Sequence, residues 1–266
     1  MRVQTHIHFF CVVAFFLCAP LRAFAATDIA SDITNDTEWT VEGSPYVVSF
    51  AGNDAYFQHY LTVPSGVTLT IDPGVVVKFD AYNGIAVNGT LRAPGTADNP
   101  IIFTSLEDDT AGGDTNGDGA DTTPADRQWM HLQFNPGSSG AFKHAIVRYG
   151  GAMILFAVNT GIQNSGGTLT IDHTTLAHNG FDGLGQYGGQ TTLTNSLISD
   201  QSIGIRMFGG ELDISDTRIY NNSASGIDHY WDGTLSITRS EIDHNGEGIT
   251  AEGNGSVTVS NSSIHD

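Results

Sequence analysis

An acidic segment between residues 105 and 128 carries the residue types that bind metal ions. It holds seven carboxylates and a single base, Arg127. Residues 114–119 read Asp-Thr-Asn-Gly-Asp-Gly. This is the start of a calcium-binding loop, in which alternate oxygen side chains converge on one hard cation and a glycine allows the sharp turn. We therefore predict a calcium site whose ligands are Asp114, Asn116, Asp118, Asp121 and Asp126.

The motif is incomplete as an EF-hand loop. Its twelfth position is Ala125, where a bidentate glutamate would complete the ligand shell. Asp121 or Asp126 would have to take that place, together with the carbonyl of Ala120. The alternative interpretation is a solvated acidic loop without a metal. A calcium ion at this position is expected to order the loop and not to perform chemistry.

A second group of charged residues is expected on one outward face of the chain. Arg206, Asp228 and Thr250 follow one another at steps of 22 residues, and Glu252 lies nearby. If this face is catalytic, the candidate catalytic residues are Arg206, Asp228 and Glu252. A salt bridge between Arg206 and Asp228 explains the pair without chemistry, and we favour that interpretation.

Two further sets of side chains could bind a ligand. The first is a column of polar residues at an outer bend, which could hold a metal or transfer protons. Its histidines are two turns apart, roughly 10 Å at the strand spacing of a β-sheet, which favours solvated turn residues. The second is a short run whose rings could stack on a sugar or pad the wall of the fold. The column is His178, Asp200, Asn221, His244 and Asp266, and the run is His229, Tyr230 and Trp231.

A repeat of about 22 residues must position these side chains, and it is clear from Gly166 onward. An alternating apolar pair begins at residues 169, 191, 212, 235 and 257. A glycine followed by an aliphatic residue begins at residues 183, 204, 226 and 248. A third aliphatic position falls at residues 176, 198, 219, 242 and 264. Three short strands per turn, kept in register, predict an all-β solenoid, the parallel β-helix.

Stacking is what makes such a fold stable. One turn cannot bury its apolar face, whereas turns stacked about 4.8 Å apart bury all of them and pair every strand with its neighbours. Side chains at the corners are expected to form hydrogen-bonded ladders along the stack, while glycine and asparagine supply positive φ at the bends. The hydroxyl ladder is Thr174, Ser196, Thr217, Ser240 and Ser262, and the amide ladder is Asn179, Gln201, Asn222 and Asn245.

The chain divides into three parts. Residues 1–25 have a basic Arg2, an apolar stretch and a small-x-small cleavage site, which is typical of a secretory signal peptide. The mature protein is therefore expected to be secreted or held at the cell surface. Residues 26–60 are expected to form an N-terminal cap and the first coil, and residues 61–266 the β-helix with its acidic insertion. The aromatic residues of the cap are Trp39, Tyr46, Tyr56, Phe57 and Tyr60.

Charge limits the partners of the mature chain. The sequence has 10 basic and 29 acidic residues, and removal of Arg2 and Arg22 leaves 8 against 29, a formal charge of −21. Such a surface repels nucleic acid and anionic membranes. Both cysteines, Cys11 and Cys18, lie in the signal peptide, so no disulfide is expected. Because no capping element follows Ile264, we expect further C-terminal coils or domains, or a partner at this end.

Several segments resemble those of bacterial extracellular β-helix proteins. They are residues 68–79, 89–91, 95–96, 102–105 and 129–151. With the later turns, the chain is similar to the pectin-lyase-like, right-handed parallel β-helix superfamily, whose members include lyases, hydrolases, epimerases and adhesins. The lyases of this superfamily carry calcium-binding carboxylates and an arginine base that removes the proton α to a uronate carboxyl. The resemblance implies the same groups on the outward face of this chain that holds Arg206 and Asp228. Arg206 and Asp228 have the required types, but Gly185 and Thr250 occupy neighbouring levels.

These observations lead to one expected function and two alternatives. We expect a non-catalytic module that binds extracellular polysaccharide or matrix, with calcium ordering the insertion. The first alternative is a polysaccharide lyase or glycoside hydrolase that acts on the face around Arg206, Asp228 and Glu252. The second is a structural stalk of a longer surface protein.

Overall fold

The computed structural model describes residues 25–50, 59–152 and 160–265. Within these ranges the regular structure consists of β-strands and one short 3-10 helix, Val41–Gly43. No helix in the described ranges is both long enough and apolar enough to cross a membrane. The all-β prediction is therefore confirmed.

The strands follow one another as short segments separated by tight corners. In chain order they are β1 (Thr27–Ile29), β2 (Thr37–Trp39), β3 (Tyr46–Val48), β4 (His59–Val63), β5 (Thr68–Ile71), β6 (Val76–Phe79), β7 (Asn83–Val87), β8 (Thr90–Pro94), β9 (Ile101–Ser105), β10 (Leu132–Phe134), β11 (Ser139–Lys143), β12 (Ala145–Arg148), β13 (Thr160–Asp172), β14 (Thr175–Ala177), β15 (Asp182–Thr194), β16 (Leu197–Ser199), β17 (Ile203–Met207), β18 (Glu211–Ser215), β19 (Arg218–Tyr220), β20 (Ser225–His229), β21 (Thr234–Thr238), β22 (Glu241–Asp243), β23 (Glu247–Ala251), β24 (Ser256–Ser260) and β25 (Ser263–His265).

The strands stack into three columns of parallel neighbours, and each turn of the chain visits all three. Column 1 contains β4, β7, β10, the first part of β13, the first part of β15, β17, β20 and β23. Column 2 contains β2, β5, β8, β11, the second parts of β13 and β15, β18, β21 and β24. Column 3 contains β1, β3, β6, β9, β12, β14, β16, β19, β22 and β25.

The three repeated strand signals coincide with the three columns. In column 1, Ile205 pairs with Leu184 on one side and Ile227 on the other. The corresponding pairs in columns 2 and 3 are in register as well. The inward aliphatic side chains form one continuous buried core along the axis. This is the parallel β-helix that the repeat predicts.

Hydroxyl side chains join the coils at the corner between columns 2 and 3. The backbone N–H of Thr174 donates to Oγ of Ser196 at 3.1 Å, and that of Ser196 donates to Oγ1 of Thr217 at 3.2 Å. The pattern continues from Thr217 to Ser240 and from Ser240 to Ser262. Each of these hydroxyls also donates to the carbonyl two residues before it. The predicted hydroxyl ladder is confirmed, because each rung satisfies a donor of one coil and an acceptor of the next.

Amide side chains do the same at the corner between columns 3 and 1. The N–H of Asn179 donates to Oε1 of Gln201 at 3.3 Å, and the N–H of Gln201 donates to Oδ1 of Asn222 at 3.4 Å. The N–H of Asn222 then donates to Oδ1 of Asn245 at 3.0 Å. The side-chain NH2 groups donate to carbonyls of the preceding coil. The amide ladder is likewise confirmed.

The residue before each ladder side chain adopts a left-handed backbone. We predicted glycine and asparagine at the bends, but these positions also hold His, Asp and Arg, with φ between 48° and 61°. That prediction was too narrow. A left-handed backbone costs such residues roughly 1–2 kcal/mol. The ladder bonds on both sides fix the corner in this conformation, so the type of residue can vary.

Two aromatic rings cover the core at the N-terminal end. Trp39 and Tyr46 are stacked with their centroids 4.7 Å apart, and both are almost fully buried. The Tyr46 hydroxyl accepts a hydrogen bond from the N–H of Thr40 at 3.0 Å. Tyr60 lies in β4 instead, where its hydroxyl is 3.0 Å from Nε2 of His131. Two more aromatic residues expected in the cap, at positions 56 and 57, lie outside the described residues.

Candidate functional site

Column 1 holds a buried carboxyl group that the sequence pattern did not single out. Asp182 opens β15, and its side chain is almost completely buried. Nη2 of Arg206 lies 3.1 Å from its Oδ1, yet neither oxygen accepts a well-formed hydrogen bond from the described residues. Arg206 pairs in register with Gly185 of the preceding coil. Gly185 has no side chain, and the ring of Tyr187 lies close to the position that its Cβ would occupy.

Burial makes Asp182 an unusually weak acid. Removal from water, assisted by the charge of Asp228 and opposed by that of Arg206, raises the pKa of Asp182 to about 7. An aspartate in water has a pKa of about 3.9. A group that gains and loses its proton near neutral pH has the property that general acid or base catalysis needs.

The predicted salt bridge between Arg206 and Asp228 is wrong, because Arg206 has a different partner. The two Cα atoms are paired in register, but among the described residues the ion pair of Arg206 is the one with Asp182. Asp228 is 6% exposed and interacts electrostatically with the hydroxyl of Tyr230. Burial and the charge of Asp228 together raise the pKa of that hydroxyl. Asp182 is thus the ion-pair partner of Arg206 that the sequence analysis missed.

The other residues predicted on this face lie at its edge. Glu252 is exposed in the turn after β23, and its charge also contributes to the raised pKa of Tyr230, for which burial is the largest cause. Thr250 donates to Oε2 of Glu247 at 2.7 Å. The structure therefore brings together Asp182, Arg206, Asp228 and Tyr230, with Glu252 at the rim. We call these first four residues the carboxyl cluster.

The repeat contains a signal that could have revealed Asp182. This residue directly precedes the Gly-aliphatic pair of its coil, and the equivalent positions of other coils hold Thr160, Ile203 and Ser225. All three are buried. A carboxylate is unusual at a position where the equivalent residues of both adjacent coils are buried. The spacing between Arg206 and Asp228 drew attention to the wrong coil.

Aromatic rings run beside the carboxyl cluster over three successive coils. The rings of Tyr187 and Phe208 are stacked at 4.7 Å, and those of Phe208 and Tyr230 at 5.5 Å. Trp231 lies 5.1 Å from Phe208 and is 64% exposed. We call these four residues the aromatic row. His229, which the sequence grouped with Tyr230 and Trp231, is buried and does not belong to it.

The acidic insertion occupies residues 106–131, between β9 and β10. One of its carboxylates fastens it to column 3. Asp108 is fully buried and accepts 2.6 Å hydrogen bonds from the hydroxyls of Thr104 and Thr110. Nη2 of Arg148 lies 2.5 Å from its Oδ2. Burial opposes the ionisation of Asp108, but these hydrogen bonds and the Arg148 charge outweigh it and lower its pKa.

Three carboxylates of the insertion converge in the way that a cation site requires. Asp109, Asp114 and Asp118 each place an oxygen within 4.8 Å of the others. Oδ1 of Asp109, Oδ1 of Asp118 and Oγ1 of Thr115 are buried and have no hydrogen-bond partner among the described residues. Close by, the buried amine of Lys78 donates to the carbonyl of Gly113 at 2.5 Å. We call Asp109, Asp114 and Asp118 the insertion cluster.

The predicted calcium ligands are found in different places. Asp114 and Asp118 are in the insertion cluster, and Asn116 donates to Oδ2 of Asp118 at 2.9 Å. Asp121 is exposed and is not among the converging carboxylates. Asp126 is exposed as well. It lies near His178 and Asp200, at the corner between columns 3 and 1. Asp109 lies five residues before the motif, so the spacing of a single loop did not point to it.

The polar column at the outer bend consists of turn residues. The ring of His178 is stacked on that of Tyr149 at 5.8 Å, and Asp200 accepts a hydrogen bond from Asn221. Nδ1 of His244 lies 2.6 Å from an oxygen of Asp243, outside the column. Among the described residues of this column, no three metal-binding side chains converge. Its last member, at position 266, lies outside the described residues.

Comparison with known proteins agrees with this architecture. Residues 148–266 match the family described as the right handed beta helix region. This stretch is a right-handed β-helix. The predicted fold class and the resemblance to the pectin-lyase-like superfamily are confirmed at the level of fold.

One similar solved structure is the crystal structure of pectate lyase Pel9A, at 19% identity and a TM-score of 0.39. The alignment covers 74% of this chain and 54% of that chain, so the matched region spans about half of that enzyme structure. No curated protein matches the sequence.

Replacement of Asp182 should change how stability depends on pH. The folded-state pKa of Asp182, about 7, lies above its value in an unfolded chain. The native protein therefore holds a proton that the unfolded chain releases, and this contribution to stability is lost as the pH rises from about 4 through 7. We expect Asp182→Asn to reduce the fall in Tm between pH 5 and pH 8, measured by thermal unfolding. Asp213→Asn, a half-exposed aspartate on column 2, serves as control, and equal slopes for both variants would contradict the assignment.

Proposed function

We propose that this chain binds extracellular polysaccharide on the surface of column 1, along the aromatic row. The observation that carries the proposal is the run of stacked rings over successive coils, which ends in a tryptophan that is 64% exposed. Large apolar rings are normally buried, so an exposed and supported ring is a candidate contact surface. Such rings offer a flat apolar face to the C–H face of a sugar.

The carboxyl cluster supports the same proposal. Arg206 lies beside the row, with its guanidinium carbon 5.9 Å from the centre of the Tyr230 ring. Its Nε is buried and has no hydrogen-bond partner among the described residues. Sugar hydroxyls donate and accept hydrogen bonds, so a surface that combines flat rings with charged groups fits their chemistry. Export by the signal peptide at residues 1–25 and binding outside the cell are part of the proposal.

Truncation of the exposed ring should weaken binding. We expect Trp231→Ala to lower the affinity for a retained polysaccharide about tenfold, because the stacking surface is lost. Affinity electrophoresis of the purified chain through gels that contain neutral or acidic polysaccharides measures this. The control is Leu197→Ala, which removes another exposed apolar side chain, 43% exposed, from column 3. Equal mobility of the wild-type chain with and without every polymer would contradict the proposal.

The carboxyl cluster favours a second candidate function, the cleavage of a glycosidic bond. Asp182 can carry a proton at neutral pH, as the acid in glycoside hydrolysis must, and Asp228 supplies a second carboxyl nearby. In the lyase version of this proposal, Arg206 would remove the proton α to a uronate carboxyl. The two reactions leave different products, because elimination creates an unsaturated end and hydrolysis does not.

Product analysis separates binding from cleavage. Polysaccharides are incubated with the chain and then sized, and their ends are examined for ultraviolet absorbance. For cleavage we expect shorter products that Asp182→Asn or Arg206→Gln abolishes while the Tm at a fixed pH stays within a few degrees. Polymers of unchanged length that still retain the chain would exclude cleavage and leave binding.

We also propose that calcium orders the acidic insertion through the insertion cluster. The support is the convergence of three carboxylates together with buried oxygens that lack hydrogen-bond partners. Calcium prefers such carboxylate, hydroxyl and carbonyl oxygens, usually six to eight of them, so water would complete the shell. Without a cation the like charges repel one another. The ammonium of Lys78 lies nearby, and the charges of Asp109, Asp108 and Asp114 oppose the lowering of its pKa by burial.

Removal of calcium should destabilise the protein. We expect a chelator to lower the Tm, because a cation that binds only the folded chain adds to its stability. Asp109→Asn and Asp114→Asn should abolish the response to the chelator, whereas Asp121→Asn and Asp126→Asn should preserve it. Differential scanning calorimetry with and without added calcium provides the measurement. An identical Tm under both conditions in the wild-type chain would rule out the calcium site.

A further inference from the structure

The few basic side chains of this acidic protein are nearly all engaged. Eight arginine and lysine residues follow the signal peptide. Four of them pair with aspartates, Lys78 donates to a backbone carbonyl, and the guanidinium of Arg127 lies 4.1 Å from the centre of the Phe181 ring. Only Arg92 and Lys143 have no ion pair, hydrogen bond or ring contact among the described residues. Both are exposed.

These two unpaired cations line the same cavity on the surface of column 2. Arg92 lies on β8 and Lys143 on β11, and the register pairs Arg92 with Ala141 and Pro94 with Lys143. The cations therefore occupy opposite corners of a small patch, with Ala141 and Pro94 at the other corners. The cavity measures about 400 Å³, within the range of small-molecule sites. Because Ala141 and Pro94 are short, its floor is apolar and lies below the two long basic side chains.

The acidic residue at the edge of this cavity is already engaged. Asp172 follows Lys143 in the stack but accepts hydrogen bonds from Thr194 and Asn195, both at 2.9 Å, and lies 2.8 Å from Nδ1 of His173. Burial opposes its ionisation, yet these contacts outweigh burial and lower the pKa of Asp172 to about 2. All three contacts are made by Oδ1 of Asp172, and no ion pair joins Asp172 to Arg92 or Lys143 among the described residues. The charges of Arg92 and Lys143 are therefore available to bind an anionic ligand.

We propose that this cavity binds an organic carboxylate with a flat apolar body, an aromatic carboxylate. A bare anion would leave the apolar floor exposed to water, and the side chains of Pro94 and Ala141 offer no hydrogen bond to the hydroxyls of a sugar. A flat ring covers Pro94 and Ala141, while its carboxylate accepts hydrogen bonds from the guanidinium of Arg92 and the amine of Lys143. The site is separate from the aromatic row, which lies on column 1.

Three probes test the two halves of this recognition. The purified chain is titrated with 2-naphthoate, with 2-naphthamide, which has the same ring without the charge, and with acetate, which has the charge without the ring. We expect 2-naphthoate to bind about tenfold more tightly than either of the others, measured by calorimetry and by naphthalene fluorescence. Equal binding of 2-naphthamide, or no binding of 2-naphthoate at millimolar concentration, would overturn the proposal.

Matched variants locate the site. Arg92→Gln and Lys143→Gln should each weaken 2-naphthoate binding about tenfold, and both side chains are exposed, so the fold should survive. Arg239→Gln removes the same charge from another exposed arginine, which pairs with Asp216, and should leave binding unchanged. An equal loss in all three variants would mean that net charge alone attracts the ligand. Trp231→Ala should also have no effect, which separates this site from the polysaccharide surface.

Discussion

The spacing of one strand between successive coils governs this protein. Because every strand takes its backbone partners from the coils above and below, residues at the same position in the repeat are forced to lie about 4.8 Å apart. An aliphatic residue must therefore stack on an aliphatic residue, and a ladder amide on a ladder amide. Leu184, Ile205 and Ile227 satisfy this requirement in the core, and Ser196 and Thr217 satisfy it at a corner.

The same constraint explains how an acidic chain tolerates its charge. Aspartates that would otherwise stack on each other are separated by other residues or are matched by an arginine one or two strands away. Arg239 reaches Asp216 in the preceding coil, and Arg218 reaches Asp243 in the next. Asp182 and Asp228 depart from this pattern, because one arginine serves a region that holds two buried carboxyls. Functional sites are where proteins commonly depart from an otherwise regular pattern.

The sequence was sufficient for the fold because the repeat is a period, and a period determines which residues share a level. The inward residues and both ladders could be assigned from spacing alone. It was insufficient for the contacts of long side chains. The Cα atoms of Arg206 and Asp228 are paired, but the guanidinium lies 3.1 Å from Asp182 in the preceding coil, and spacing does not tell which neighbour a long side chain reaches. Asp109 was missed because the insertion has no repeat that would predict which of its residues are neighbours. Only the folded loop brings Asp109 close to Asp114.

The ladders give the molecule a direction and a unit of length. In each ladder, the backbone N–H of one coil donates to the side chain of the next coil towards the C-terminus, never the reverse. A deletion that removed one ladder residue would break the connection between two coils at that corner. Removal of one whole coil would again place a ladder hydroxyl next to a ladder hydroxyl, and a ladder amide next to a ladder amide. Ser196 and Gln201 are the members of these ladders in one coil. Among its stacked coils, each ladder can therefore gain or lose a rung only when a complete turn is added or removed.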